Sequence, residues 1–220
     1  MAATSVPGTA AQNAPFLERV IGWTKRHRQA TSWTATIAVI GAVLFVWTVS
    51  SNQRSEAIAG RQLQGARFAF DNQNLPLAAS ELQRIIENYS GTSAAGEARL
   101  VLAQVRLAQG QNDQAVQLLS EFAPGSSKPF RAQAYSLLGA AYENLGRPRD
   151  AAAAYEKGAE AARLEFMKAQ LLSDAGRAWT AAGEKARAIA AYRQIVDKMP
   201  KAGVVTEAKV RLGELTKGTP

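Results

Sequence analysis

Cysteine and histidine, two side chains that often carry catalysis, are almost absent from this sequence of 220 residues. It has no cysteine, which excludes disulfides, thiolate nucleophiles and cysteine-ligated metals. Its single histidine, His27, lies among Lys25, Arg26 and Arg28, and a surface position explains it better than a ligand role. No phosphate-binding glycine motif is present, and no pair of carboxylates stands apart from the other acidic residues. We therefore expect no enzyme activity, no metal, no cofactor and no small-molecule substrate.

The net charge of the chain is compatible with several classes of binding partner and does not distinguish among them. Lysine and arginine together number 26 against 18 acidic residues, so the formal net charge is +8. Such an excess suits nucleic acid, an anionic membrane or an acidic protein. Beyond residue 50, however, the two signs are interspersed, and no basic run carries interleaved aromatic residues. We therefore expect that the chain binds no nucleic acid.

The first 29 residues fall into two parts. Residues 1–15 are small and polar and include proline, so they predict a flexible tail. Residues 16–29 predict a cationic amphipathic helix lying on a membrane surface, and a solvated linker helix is the alternative. The residues expected at the membrane interface recur at helical spacing: Phe16, Leu17, Val20 and Ile21.

An uncharged segment follows and predicts a transmembrane helix over residues 30–53. Its centre, residues 33–49, is strongly apolar, and a helix of ~20 such residues spans a bilayer. Trp33 and Trp47 lie near its two ends, where indole rings favour the membrane interface. A cleaved signal peptide is the competing interpretation. The apolar core of a signal peptide is usually shorter than residues 33–49. The length of this segment therefore favours an uncleaved anchor in contact with the lipid bilayer.

The charges on either side of this segment predict its orientation. Four basic residues precede it against one acidic residue, Glu18, whereas Arg54 and Glu56 cancel each other after it. Positive flanks stay in the cytoplasm. We therefore expect a single-pass protein of the bacterial inner membrane, with a cytoplasmic N-terminus and a periplasmic C-terminal domain.

The remainder of the chain repeats itself every 36 to 37 residues. One copy consists of Leu138, Gly139, Tyr142, Gly146, Ala151 and Tyr155, and the next of Ala175, Gly176, Trp179, Gly183, Ala188 and Tyr192. An earlier copy keeps Leu102, Ala103, Gly110, Ala115 and Leu119, with Arg106 in place of the aromatic residue. The faintest copy has Ala78, Leu82 and Ile85, and its Gly65 and Phe68 are displaced by one residue.

These residues resemble the tetratricopeptide repeat, from about residue 54 to 216. The resemblance implies an all-α fold in which stacked helix pairs form a solenoid. We expect about four repeats in residues 54–220, following the transmembrane helix, with residues 204–216 as a polar capping helix. Between the membrane segment and the first repeat no proline intervenes, so one continuous helix is expected.

The resemblance also implies where a ligand would bind. In this family ligands occupy a groove formed by the first helix of each pair. The corresponding positions here are Arg67, Gln104, Gln133, Ser136, Asn144, Gln170, Ser173 and Arg177. This set lacks the converging cations that some members use to hold a peptide carboxylate. Binding through the convex face remains the alternative.

The layout is similar to that of periplasmic tetratricopeptide repeat proteins with one N-terminal anchor, including the ancillary subunit of the Sec translocon. It implies a scaffold or accessory subunit that stabilises a larger membrane complex through protein–protein contacts. The partners would be other membrane-protein subunits of a respiratory, photosynthetic or secretory assembly. A periplasmic chaperone-like module that binds clients near the translocon is the alternative.

Overall fold

The chain is seen in a computed structural model that describes the backbone of residues 28–217 and the side chains of residues 39–217. The predicted tail, residues 1–15, lies outside the described residues. So do the predicted interfacial residues Phe16, Leu17, Val20 and Ile21 and the side chain of Trp33.

Within residues 28–217 the fold is entirely helical. Nine helices follow one another in this part of the chain. They are α1 (Arg28–Asp71), α2 (Leu75–Asn88), α3 (Ser93–Ala108), α4 (Asn112–Gly125), α5 (Lys128–Asn144), α6 (Pro148–Ala161), α7 (Glu165–Ala181), α8 (Lys185–Lys198) and α9 (Val205–Thr216).

The chain divides into two units, Met1–Gln53 and Arg54–Pro220. The described part of the first unit is helical, and its apolar side chains between residues 39 and 49 are exposed. In the part of the chain that the structure describes, no helix combines the length and the apolar character that a membrane crossing requires.

The second unit is built from successive helix pairs. Residues 54–71 of α1 and α2 form the first pair, followed by α3 with α4, α5 with α6, and α7 with α8. From α2 to α9 each helix packs on the next, and α3 also contacts α5. Four pairs and a terminal helix are thus seen in the described residues, so the predicted all-α repeat architecture is confirmed.

A repeated turn joins the two helices of every pair. Gly110, Gly146 and Gly183 occupy the left-handed region, with φ of 73°, 66° and 77°. One residue after each glycine, a backbone N–H donates to a carbonyl five residues earlier, as from Arg147 to Tyr142 at 2.9 Å. This is the Schellman arrangement, which satisfies carbonyls at the end of the first helix. The glycines that recur in the sequence repeat are therefore helix C-caps.

The first repeat makes the same turn with Gln73, at φ 60°, in the glycine position. Counting back from this residue places Ala66 where the later repeats have Ala103, Gly139 and Gly176. Ala66 is fully buried, whereas Phe68 is 71% exposed. The motif positions of the first repeat are therefore held by Ala66 and Ala69, which corrects the predicted Gly65 and Phe68 by one residue.

A carboxylate from α1 caps the start of α3. The backbone N–H groups of Ser93 and Ala94 donate to the two oxygens of Glu56, at 2.7 and 2.9 Å. The first N–H groups of a helix have no partner within the helix and carry partial positive charge. Glu56 therefore links the first repeat to the second through both hydrogen bonding and electrostatic attraction.

Candidate binding site on the first helices

An open apolar pocket of about 520 Å³ lies in the C-terminal half of the second unit. It is bordered by two first helices, α5 and α7, and by the loop that leads into α9. We call it the first-helix pocket. Its lining residues are Ala132, Gln133, Ser136, Phe166, Met167, Gln170, Leu171, Gly203 and Val204.

The polar groups of the first-helix pocket come from equivalent positions of consecutive repeats. Gln133 and Gln170 each lie 13 residues before the turn glycine of their own repeat. Ser136 lines the pocket, whereas its counterpart Ser173 is buried and only 5% exposed. All three lining polar side chains are uncharged amides or hydroxyls. Each can both donate and accept a hydrogen bond.

An exposed aromatic ring forms part of the apolar wall. Phe166, in the first turn of α7, is 65% exposed although it lines the pocket. Leu164, immediately before that helix, is also exposed. A single exposed apolar residue needs no explanation, but two within three residues, one of which lines an apolar pocket, suggest a contact surface. The sequence pattern did not predict this role for Phe166, because the repeat motif begins further along α7.

A compensated charge cluster lies further along α7. The guanidinium of Arg177 donates to the carboxylate of Glu143 at 2.6 Å and to that of Asp174 at 3.2 Å. The hydroxyl of Tyr155 donates to the same carboxylate of Glu143 at 2.9 Å. The hydrogen bond to Glu143 is the main cause that raises the pKa of Arg177. Arg177 is therefore engaged with two carboxylates and is not free to bind an anionic ligand.

The carboxylate of Glu143 also affects the phenol group of Tyr155. Burial, and then the hydrogen bond to Glu143, raise the pKa of Tyr155 well above its ordinary value. A neutral hydroxyl can donate to a carboxylate, whereas a phenolate would repel it. The contact joins α6 to the end of α5 and, through Arg177, to α7. It therefore holds together the two repeats that frame the first-helix pocket.

The structure brings together three of the eight predicted groove residues: Gln133, Ser136 and Gln170. Arg67 instead forms an ion pair with Glu97. The side-chain amide of Asn144 donates to the Asn112 oxygen at 3.1 Å. The other predicted groove residues, Gln104, Ser173 and Arg177, do not line the pocket either.

Six lining residues were missed: Ala132, Phe166, Met167, Leu171, Gly203 and Val204. The last two belong to the loop between α8 and α9, where the repeat pattern has no characteristic residue. The repeat motif has no characteristic residue at the position of Phe166 either, so no spacing rule indicates it.

Other surfaces of the described residues are less suited to binding a partner. A cavity of about 440 Å³ between α7, α8 and α9 is bordered by Arg177, Arg211 and Glu214. Arg211 pairs with Glu214, and Arg177 pairs with Glu143 and Asp174. No group of three potential metal-ligating side chains was found in the described part of the chain. The first-helix pocket is therefore the best candidate for binding a partner.

Comparison with known proteins identifies the family. The sequence profile of the tetratricopeptide repeat-like domain matches residues 44–174, which is more than half of the chain. The chain belongs to the tetratricopeptide repeat-like family. A comparison with curated proteins finds no match.

Solved structures agree with this tetratricopeptide fold. One is a putative kinesin light chain from Podosopora anserina with nearly identical TPR-like repeats, at 20% identity and a TM-score of 0.58. The alignment covers 74% of this chain and 87% of that one. Another is the MamA protein, at 18% identity and a TM-score of 0.54, covering 73% of this chain and 87% of that one. These similarities show the tetratricopeptide fold. The family to which the chain belongs suggests a protein–protein interaction module.

Proposed function

We propose that this tetratricopeptide protein is a non-catalytic scaffold or accessory subunit, anchored in the bacterial inner membrane, that stabilises a larger membrane complex. In this proposal the N-terminus is cytoplasmic and the repeats lie in the periplasm. The partners are other membrane-protein subunits, of a respiratory, photosynthetic or secretory assembly. The observation that carries the proposal is the open apolar pocket on the first helices, with Phe166 exposed at its wall.

The side chains of residues 39–49 support the membrane anchor. Their large apolar members are exposed: Val39, Ile40, Val43, Leu44, Phe45, Val46, Trp47 and Val49. At about 3.6 residues per turn, these positions lie on all sides of the helix. A groove on a partner protein would cover one side only, whereas lipid covers all of them. Residues 30–53 contain no charged side chain. This suits a membrane crossing, because charged side chains are costly in the bilayer.

A membrane anchor also gives the scaffold a thermodynamic advantage. Contacts by the N-terminal segment, the membrane helix and the repeats would form within one complex. Each later contact then forms at high effective concentration, so moderate individual affinities combine into stable retention. The interfacial residues Phe16, Leu17, Val20 and Ile21 would supply the first of these contacts.

A chaperone-like module near the Sec translocon is the second candidate. The same exposed Phe166 and open apolar pocket favour it, because exposed apolar surface also suits transient contact with unfolded chains. The two functions differ in the number of partners at the pocket. A scaffold contacts one defined subunit there, whereas a chaperone contacts many clients.

Site-specific photocrosslinking distinguishes the two functions. A benzoylphenylalanine residue replaces Phe166 in the full chain, and the matched control replaces Phe68, which is equally exposed but lies on α1 outside the pocket. After irradiation of intact cells, a scaffold gives one discrete adduct from position 166. A ladder of many adducts would favour the chaperone function. Equal labelling from positions 166 and 68 would contradict a binding role for the pocket.

A further inference from the structure

The first-helix pocket has a lining that selects among polypeptide segments. We propose that it holds an uncharged apolar side chain from an internal, extended segment of the partner, and that Gln133 and Gln170 hydrogen bond to the backbone of that segment. This inference rests on the proposed function and specifies the chemistry of the ligand.

The charge of the lining argues against ionised ligands. Its nine residues include no lysine, arginine, aspartate or glutamate. The two cations of α7 do not line it either: Lys168 follows Met167 in sequence but is not part of the lining, and Arg177 is paired with Glu143 and Asp174. A carboxylate or ammonium group that entered the pocket would lose water without gaining a counter-ion, which is costly. The pocket therefore suits an internal segment better than a chain terminus, because a free C-terminus brings a carboxylate.

The two amides are suited to a peptide backbone. A glutamine side chain has donors and an acceptor, and each peptide unit also presents one N–H and one carbonyl. Gln133 is exposed and makes no side-chain hydrogen bond within the described residues, and Gln170 makes only a long one, of 3.5 Å to Asp174. Because they occupy equivalent positions of consecutive repeats, they offer the same amide group twice along the ligand.

The apolar walls then select the side chain. Phe166 and Met167 border one side, and Leu171 and Val204 also line the pocket. Aromatic rings pack favourably on one another and on the sulfur of methionine. A phenylalanine, leucine or methionine of the partner would cover the exposed ring of Phe166 and remove its apolar surface from water.

The test uses the full chain in detergent and fluorescent eleven-residue peptides of serine, glycine and alanine, blocked at both ends. One peptide carries a central phenylalanine and one a central aspartate. A third ends in phenylalanine with a free carboxylate. We expect fluorescence anisotropy to show binding of the first peptide, and at least tenfold weaker binding of the other two. Equal affinity of all three peptides would overturn the proposed selectivity.

Substitutions locate the binding. Phe166→Ser and the pair Gln133→Ala with Gln170→Ala are each expected to weaken binding of the phenylalanine peptide about fivefold or more, since one hydrogen bond or apolar contact contributes on this scale. Phe68→Ser and Gln117→Ala are the matched controls, because both residues lie outside the pocket. Affinity that responds equally to pocket and control variants would place the peptide elsewhere and contradict the inference.

Failure of this inference is distinguishable from failure of the proposed function. Retention of the chain in a membrane complex, together with no selective peptide binding, would overturn only the ligand chemistry. Selective peptide binding by a chain that joins no complex in cells would overturn the scaffold function and leave the pocket's specificity intact.

Discussion

A Cβ atom on Gly139 would lie only 2.5 Å from Cε1 of Tyr155. The ring on α6 therefore rests directly on the backbone of α5, in the space that any other residue would need for its side chain. The next repeat has the same arrangement, in which a Cβ atom on Gly176 would lie 2.6 Å from Cζ of Tyr192. These two glycine–tyrosine contacts determine how closely the helices of each pair approach one another.

Gly139→Ala is expected to destabilise the repeats by about 1–3 kcal/mol, because the ring of Tyr155 must move out of a packed core. Thermal unfolding of the full chain, followed by circular dichroism, measures the effect. Gly213→Ala is the matched control. Gly213 occupies the same position in α9, but no atom lies within 4 Å of its would-be Cβ.

The control should behave in the opposite way. In a helix, alanine is favoured over glycine by about 0.5–1 kcal/mol, so Gly213→Ala should leave stability unchanged or raise it. Equal destabilisation by both substitutions would show that the ring contact at Gly139 does not determine the packing.

The turn of the first repeat offers a stabilising substitution. Gln73 has φ 60°, where a side chain is strained, and the three later repeats have glycine there. Gln73→Gly is expected to raise the free energy of unfolding by about 0.5–1 kcal/mol, and Gly146→Ala to lower it by about 1 kcal/mol. Urea unfolding checks both. If Gln73→Gly destabilised the chain, the side chain of Gln73 would have to contribute more than its backbone strain costs.

The repeats were predictable from the sequence wherever geometry demands particular residues. The close approach of two helices requires Gly139 opposite Tyr155 and Gly176 opposite Tyr192. The left-handed turn requires Gly146 and Gly183. Each requirement appears as a residue type at a fixed spacing. In the first repeat the turn residue is Gln73, so this signal is missing and Ala66 was not recognised.

The candidate site was less predictable. Gln133 and Gln170 follow from the repeat register, because both lie on the same side of a first helix. Phe166 and Val204 line the pocket because of the path that two loops take, and no spacing rule encodes that path. Asn144 and Arg67 were expected at the groove, but each pairs with a neighbouring repeat, at Asn112 and Glu97.

High pH should weaken the fold through Tyr155. Its pKa is raised in the folded chain by burial and by Glu143. Above about pH 10, the ordinary pKa of tyrosine, the unfolded chain loses this proton while the folded chain keeps it. The unfolded state then binds fewer protons, so stability falls as pH rises. Tyr155→Phe should show a shallower fall between pH 9 and 11 in urea unfolding, and parallel curves for the two proteins would contradict this assignment.

The proposed topology can be tested by cysteine labelling, since the natural chain has no cysteine. Single cysteines replace Ser5 and Thr219 in the full chain. In intact cells whose outer membrane is permeabilised, an impermeant maleimide should label position 219 and not position 5, because the positive flank precedes the membrane segment. Labelling at both positions after lysis is the control for reactivity. Labelling at position 5 alone in intact cells would reverse the orientation.

The scaffold function is tested most directly by the ratio of this chain to its partner. Membranes are solubilised in mild detergent and sedimented through a gradient, and the ratio is measured for the full chain and for a chain lacking residues 1–22. We expect a fixed, stoichiometric ratio for the full chain and weaker retention of the truncated one, which loses one of several linked contacts. Circular dichroism should show that the repeats of the truncated chain remain folded. A sub-stoichiometric, exchangeable association that the truncation leaves unchanged would contradict the scaffold function and favour the chaperone.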